Sequence, residues 1–66
     1  MITQTRPSVA LDGRYTVMQT CAALGIHRGT LQRYTERGAI KPHFRRVDGR
    51  KVYEGRDIIR LWLASL

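Results

Sequence analysis

Arg28, Gln32 and Arg33 fall within six residues of one another, and their types offer the clearest chemistry in the chain. An arginine can donate two parallel bonds to guanine O6 and N7, and a glutamine amide can engage adenine similarly. Each such pair is worth about 1–3 kcal/mol of discrimination. On a helix, residues 28 and 32 stand one turn apart on one face, with 33 alongside. The three are candidate base readers. Thr16, Gly29, Thr30 and Arg37 suit the backbone of the same polymer: hydroxyls at helix starts favour phosphate, and glycine allows close approach. Thr16 fits a helix cap equally well.

The charge balance agrees. The chain has 12 Lys+Arg against 5 Asp+Glu, a formal net charge of +7, and a pI near 10.8. Such an excess favours a polyanionic partner, nucleic acid ahead of an anionic membrane surface. Ten of the basic residues lie between Arg28 and Arg60, where only four acidic ones oppose them. Arg45 and Arg46 precede Asp48-Gly49, and Arg50 and Lys51 follow it. A hairpin tip loaded in this way can grip phosphates or dip into a minor groove.

Other classes are disfavoured. A chain of 66 residues forms one domain with a small core, which leaves little room for a catalytic cleft. No nucleophile stands with a base and no glycine-rich phosphate loop is present, so neither catalysis nor a cofactor is expected. Cys21 is the single cysteine, which excludes an internal disulfide and suits a reducing, cytoplasmic setting. Cys21, His27 and His43 lack the paired spacing of a structural zinc site, and no metal is expected. No apolar run is long enough to span a bilayer. Tyr34, Phe44, Tyr53 and Trp62 occupy core slots, which argues against a single-strand stacking platform.

The elements that must position the candidate residues follow from pattern. Residues 1–14, with Pro7, Asp12 and Gly13, show no sustained period and predict an arm with little fixed structure. Order is expected from Tyr15, giving a domain over 15–66. Thr16 and Gln19 form a capping box for a helix from Val17 to about Leu24, closed by Gly25. Val17, Cys21 and Leu24 share its inner face. A second helix spans Arg28 to Arg37, with Leu31 and Tyr34 inward and Gly38 as its stop. After Pro42 the period becomes two, and "HFRRV" and "RKVY" around Asp48-Gly49 predict a two-stranded hairpin with a type I′ turn. A last helix from Asp57 to Leu66 turns Ile58, Leu61 and Trp62 inward. The fold is mainly α with a small β-hairpin: helix, helix, two-stranded wing, helix.

The stretch "YTVMQTCAALGIHRGTLQRYTERGAIKP" resembles the opening of MerR-type and excisionase-type winged helix-turn-helix domains. The ending "DIIRLWL" is more similar to the excisionase branch. The resemblance implies a bacterial or phage-borne factor that binds and bends double-stranded DNA near an attachment site and helps an integrase excise a mobile element. A small transcriptional regulator using the same DNA contacts is the alternative. MerR-type regulators continue into a dimerisation helix and effector site, which this sequence does not contain, so no small-molecule effector is expected. In the family, serine is common at the positions of His27 and Glu54, both weaker caps here. Gly29 replaces a serine or arginine.

The last helix also carries Ile59, Leu63 and Leu66 on its other faces. All-round hydrophobicity calls for a second burial surface. Either the N-terminal arm folds back through Ile2 or Val9, or these residues contact another copy or a recombinase. A basic adaptor that uses this helix for protein contact is the reading from a different functional class.

Overall fold

Thr16 sets the start of the first helix, as its type and the glutamine three residues on predict. In the computed structural model, which describes residues 2–65, Thr16 is extended (φ −67°, ψ 168°). Its hydroxyl accepts from the Gln19 amide at 3.1 Å, and the Gln19 side-chain oxygen accepts from the Thr16 amide at 3.0 Å. The helix α1 runs Val17–Leu24 and ends at Gly25, whose φ of 68° is the left-handed conformation that glycine adopts without strain. The helix α2 follows as Arg28–Glu36, one residue shorter than predicted.

Among the described residues three strands are present where the sequence predicts two. β1 is Arg14–Thr16, β2 His43–Phe44 and β3 Lys51–Glu54, in the antiparallel order β1-β3-β2. β1 pairs Tyr15 with Tyr53, and β2 pairs Phe44 with Lys51. With three residues, β1 is too short to show an alternation of its own. The third helix, α3, is Gly55–Ala64 and begins directly after β3.

The wing turn corrects the sequence reading. A type I′ turn needs positive φ at both central residues, yet among the described residues only glycines have positive φ, so Asp48 cannot adopt it. Instead the Gly49 amide donates to the Arg45 carbonyl at 2.8 Å, and the Arg45 amide donates to Arg50 O at 2.9 Å. Gly49 alone takes the left-handed conformation, at φ 69°. The Asp48 carboxylate accepts from the Arg50 amide at 3.0 Å and fixes the turn from inside. This wide turn consumes Arg45 to Arg50, so the strands are shorter than "HFRRV" and "RKVY" suggest. Phe44, expected in the core, lies on a two-residue edge strand and is 65% exposed.

The N-terminal arm is the largest departure. The expected lack of fixed structure is not found, and the alternative of an arm folded back through Ile2 or Val9 is: Ile2 is buried with the core residues Cys21, Leu24, Ile26, Leu31, Ile40, Tyr53, Ile58 and Leu61, and Val9 packs against them. The Thr3 amide donates to Leu24 O at 2.8 Å, and the Trp62 indole donates to Thr3 O at 3.0 Å. The arm thus ties the end of α1 to α3. Farther along, the Gly55 amide donates to Gly13 O at 2.9 Å and the Arg56 amide to Leu11 O at 3.1 Å. These carbonyls satisfy first-turn amides of α3 that Glu54 leaves without a side-chain cap. The supply of backbone acceptors explains why α3 starts two residues before the predicted Asp57.

Close approach of the arm makes Gly55 indispensable. A Cβ there would overlap the Ala10 carbonyl oxygen, whereas a Cβ on Gly29 would meet nothing within 4 Å. Ile59, suggested as a protein contact, is only 7% exposed and belongs to the interior of this chain. Leu63 is 57% exposed, and Leu66 lies outside the described residues.

The two helical glycines should therefore respond oppositely. Gly55→Ala is expected to lose about 1–3 kcal/mol in urea unfolding, the usual scale for overpacking. Gly29→Ala should unfold at the same denaturant concentration or slightly higher, because alanine is the better helix former. Equal midpoints for the two variants would contradict the arm's placement.

Candidate nucleic-acid interface

The turn between α1 and α2 is built from Gly25, Ile26 and His27. The Ile26 amide donates to Cys21 O at 3.0 Å while its side chain is buried, which anchors the turn from within. Leu31 is the buried residue of α2, with Tyr34 packed against the same core. Thr35 bridges to the sheet: its hydroxyl donates to Leu31 O at 2.9 Å and accepts from the buried Tyr53 hydroxyl at 2.8 Å. The inner face of α2 is therefore fixed to α1 and β3, and its remaining surface is free to meet a ligand.

That surface carries Arg28, Gly29, Gln32, Arg33, Glu36 and Arg37, all exposed, with Thr30 half-buried at its margin. The three expected base readers share it. Gln32 Nε2 donates to Glu36 Oε1 at 3.1 Å, so Glu36 pairs with Gln32. Sequence reading missed Glu36 as a member of this face, although its i, i+4 spacing from Gln32 is the available signal. Arg37 lies over the Tyr34 ring, 5.2 Å from its centre, which holds its guanidinium near the helix.

All the candidate DNA contacts except Gly29 and Gln32 line three shallow clefts. The first brings Thr16, Val17 and Met18 at the start of α1 together with Arg28 of α2 and Arg50 and Lys51 of the wing. The second runs along the far edge of α2 and contains Thr30, Arg33, Tyr34 and Arg37. The third joins Arg45 and Arg46 to Arg14, His43, Phe44, Val47 and Val52. Hence the wing does not present one continuous basic tip. Arg50 and Lys51 stand with the second helix, while Arg45 and Arg46 stand with Arg14 of β1, a residue assigned to the arm and not weighed as a contact.

Asp48 divides the wing's charge further. Its Oδ2 lies 3.7 Å from Arg45 Nη1 and 3.8 Å from Arg50 Nε. These are long, exposed pairs and contribute little stability. Beneath the first cleft, burial pushes the Cys21 thiol above its ordinary range, and the Arg28 guanidinium opposes that shift. Cys21 is thus a core residue with a protonated thiol rather than a reactive one.

Two short helices packed around a tight glycine-bearing turn, an exposed basic second helix, and a hairpin returning beside it define a DNA-binding helix-turn-helix with a wing. The chain belongs to a helix-turn-helix domain family, whose model matches residues 14–65. Comparisons with curated proteins and with solved structures return no match. Among the described residues, no helix is long and apolar enough to cross a membrane.

The start of α2 offers a direct check of this geometry. His27 is its N-cap residue but makes no side-chain capping bond and is exposed. His27→Ser should supply the missing acceptor and raise stability by about 0.5–1 kcal/mol in chemical denaturation. No gain would mean that the first amides of α2 already have partners.

Proposed function

We propose that the protein binds double-stranded DNA sequence-specifically and acts as an excisionase-like architectural factor, assisting an integrase in excising a mobile element. The observation that carries the DNA-binding mode is the first cleft. There Arg28, at the leading end of α2, shares a surface with Arg50 and Lys51 of the wing and with the capped start of α1. A helix seated in the major groove would place Arg28, Gln32 and Arg33 against base edges. Thr16, Gly29, Thr30 and Arg37 would face the adjoining backbone, and Arg45, Arg46, Arg50 and Lys51 would follow phosphates from the wing.

Gly29 gains a sharper role in this reading. Open space around its missing Cβ rules out an internal packing need. Close approach to DNA explains a glycine there, with base reading left to Arg28, Gln32 and Arg33. Glu36 holds one side of the Gln32 amide and leaves its carbonyl and second N–H for a base.

The excision role draws on the excisionase-like character of "DIIRLWL" and on Leu63, a large apolar residue exposed on α3. Leu63 would contact a neighbouring copy on DNA or the integrase. A small transcriptional regulator would use the same DNA contacts, and an adjacent integrase gene would favour excision over it.

Anisotropy titrations against a genomic fragment library should reveal preferred sites whose affinity falls steeply with salt. Arg28→Ala should lose about 1–3 kcal/mol at the preferred site and relax sequence preference. Lys51→Ala should weaken all sequences alike and reduce the salt slope by about 1. Gly29→Ala should fold normally but bind the target less tightly. Absence of any site preference would sink the specific reading. In an excision assay, Leu63→Glu should keep single-copy binding yet lose cooperative binding and stimulation of the integrase. Unchanged cooperativity and excision would remove Leu63 from the mechanism.

A further inference from the structure

The root of the wing holds a polar cluster outside all the DNA-contacting residues proposed above. His43 opens β2, Glu54 closes β3, and Asp57 lies in the first turn of α3. His43 Nε2 stands 3.1 Å from Glu54 Oε1 and 3.7 Å from Asp57 Oδ2. One ligand atom from each of the three lies within 4.8 Å of the others.

We propose that His43, Glu54 and Asp57 bind a divalent transition-metal ion of the zinc type, fastening the wing to the third helix. The spacing fits a shared ion. Two ligands each about 2.1 Å from one metal at a tetrahedral angle stand about 3.4 Å apart. The observed separations of 3.1 and 3.7 Å straddle that value. One imidazole and two carboxylates suit zinc and its neighbours, whereas magnesium and calcium favour oxygen ligands alone. The two carboxylate charges match a dication when the imidazole is neutral.

Access and surroundings are compatible with such an ion. The His43 and Glu54 side chains are 38% and 28% exposed, and that of Asp57 is 15% exposed, so water could complete the coordination shell. Arg60 Nη1 approaches the other Asp57 oxygen, Oδ1, at 3.8 Å and leaves Oδ2 toward His43. Arg14 is the register partner of Glu54 across β1 and β3. The positive end of the α3 dipole opposes a cation here, and Asp57 and Glu54 offset it with two full negative charges. Because its ligands come from both wing strands and from α3, the ion would restrain a hairpin that two short strands hold only weakly.

The test uses the full chain without DNA, so its failure leaves the DNA-binding reading untouched. Titration with Co²⁺ followed by visible absorption should give one ion per chain with ligand-field bands. Zn²⁺ followed by calorimetry should give the same stoichiometry, and Zn²⁺ should raise the thermal midpoint. His43→Ala and Glu54→Gln, each verified by circular dichroism, should lose at least about tenfold in affinity, as disturbance of even an outer partner does. Both should also lose the thermal shift, while His27→Ala binds like the parent chain. Undiminished binding by His43→Ala and Glu54→Gln, loss of binding on His27→Ala, or no saturable Co²⁺ or Zn²⁺ binding would overturn the proposal and leave a plain histidine–carboxylate contact.

Discussion

The start of α3 depends on backbone carbonyls lent by the N-terminal arm, and much of the structure depends on that loan. Glu54 provides no side-chain cap, and helix starts leave amides without intrahelical partners. Gly13 O and Leu11 O accept from Gly55 and Arg56. Such contacts bring the backbone at Ala10 against the first residue of the helix, an approach that the missing Cβ of Gly55 permits. The same stretch leads into β1, which pairs with β3. One crossing of backbone thus fixes both the helix start and the third strand.

A chain this small has few apolar side chains to enclose, and the arm supplies some of the enclosure. Ile2 enters the core, Trp62 bonds Thr3, and Thr3 bonds Leu24, so that α1 and α3 are strapped across their ends. Tyr53 extends the linkage inward through Thr35 to α2. The orientation of the exposed face of α2 relative to the wing is therefore set by β3, which carries Tyr53 inside and Lys51 beside the first cleft.

The helices were legible because their signals are local. The Thr16–Gln19 box, Gly25 and the inward spacing of Val17, Cys21 and Leu24 each act within one or two turns. The face bearing Arg28, Gln32 and Arg33 followed from the same periodicity. What escaped depends on distant partners. Nothing within residues 1–14 announces that their carbonyls will meet Gly55, and Gly55 reads locally as a poor helix residue rather than a point of contact. β1 becomes a strand through pairing with β3, not through its own alternation. Asp-Gly correctly marked a turn, but the identity of that turn hinged on Asp48 bonding Arg50 instead of taking a left-handed conformation. That local choice lengthened the turn and exposed Phe44, since the edge strand ends before any element can cover it.

The division of the wing's charge bears most directly on how such a domain can discriminate. A uniformly basic hairpin would attract any polyanion, and its attraction would be screened by salt without regard to sequence. Here Asp48 sits between Arg45 and Arg50, and the wing cations separate into Arg50 and Lys51 beside Arg28 and Arg45 and Arg46 beside Arg14. The placement of Arg14 is what makes the second group, and Arg14 is held there by β1. The strand that the arm contributes to the sheet therefore shapes the charged surface as well as the core.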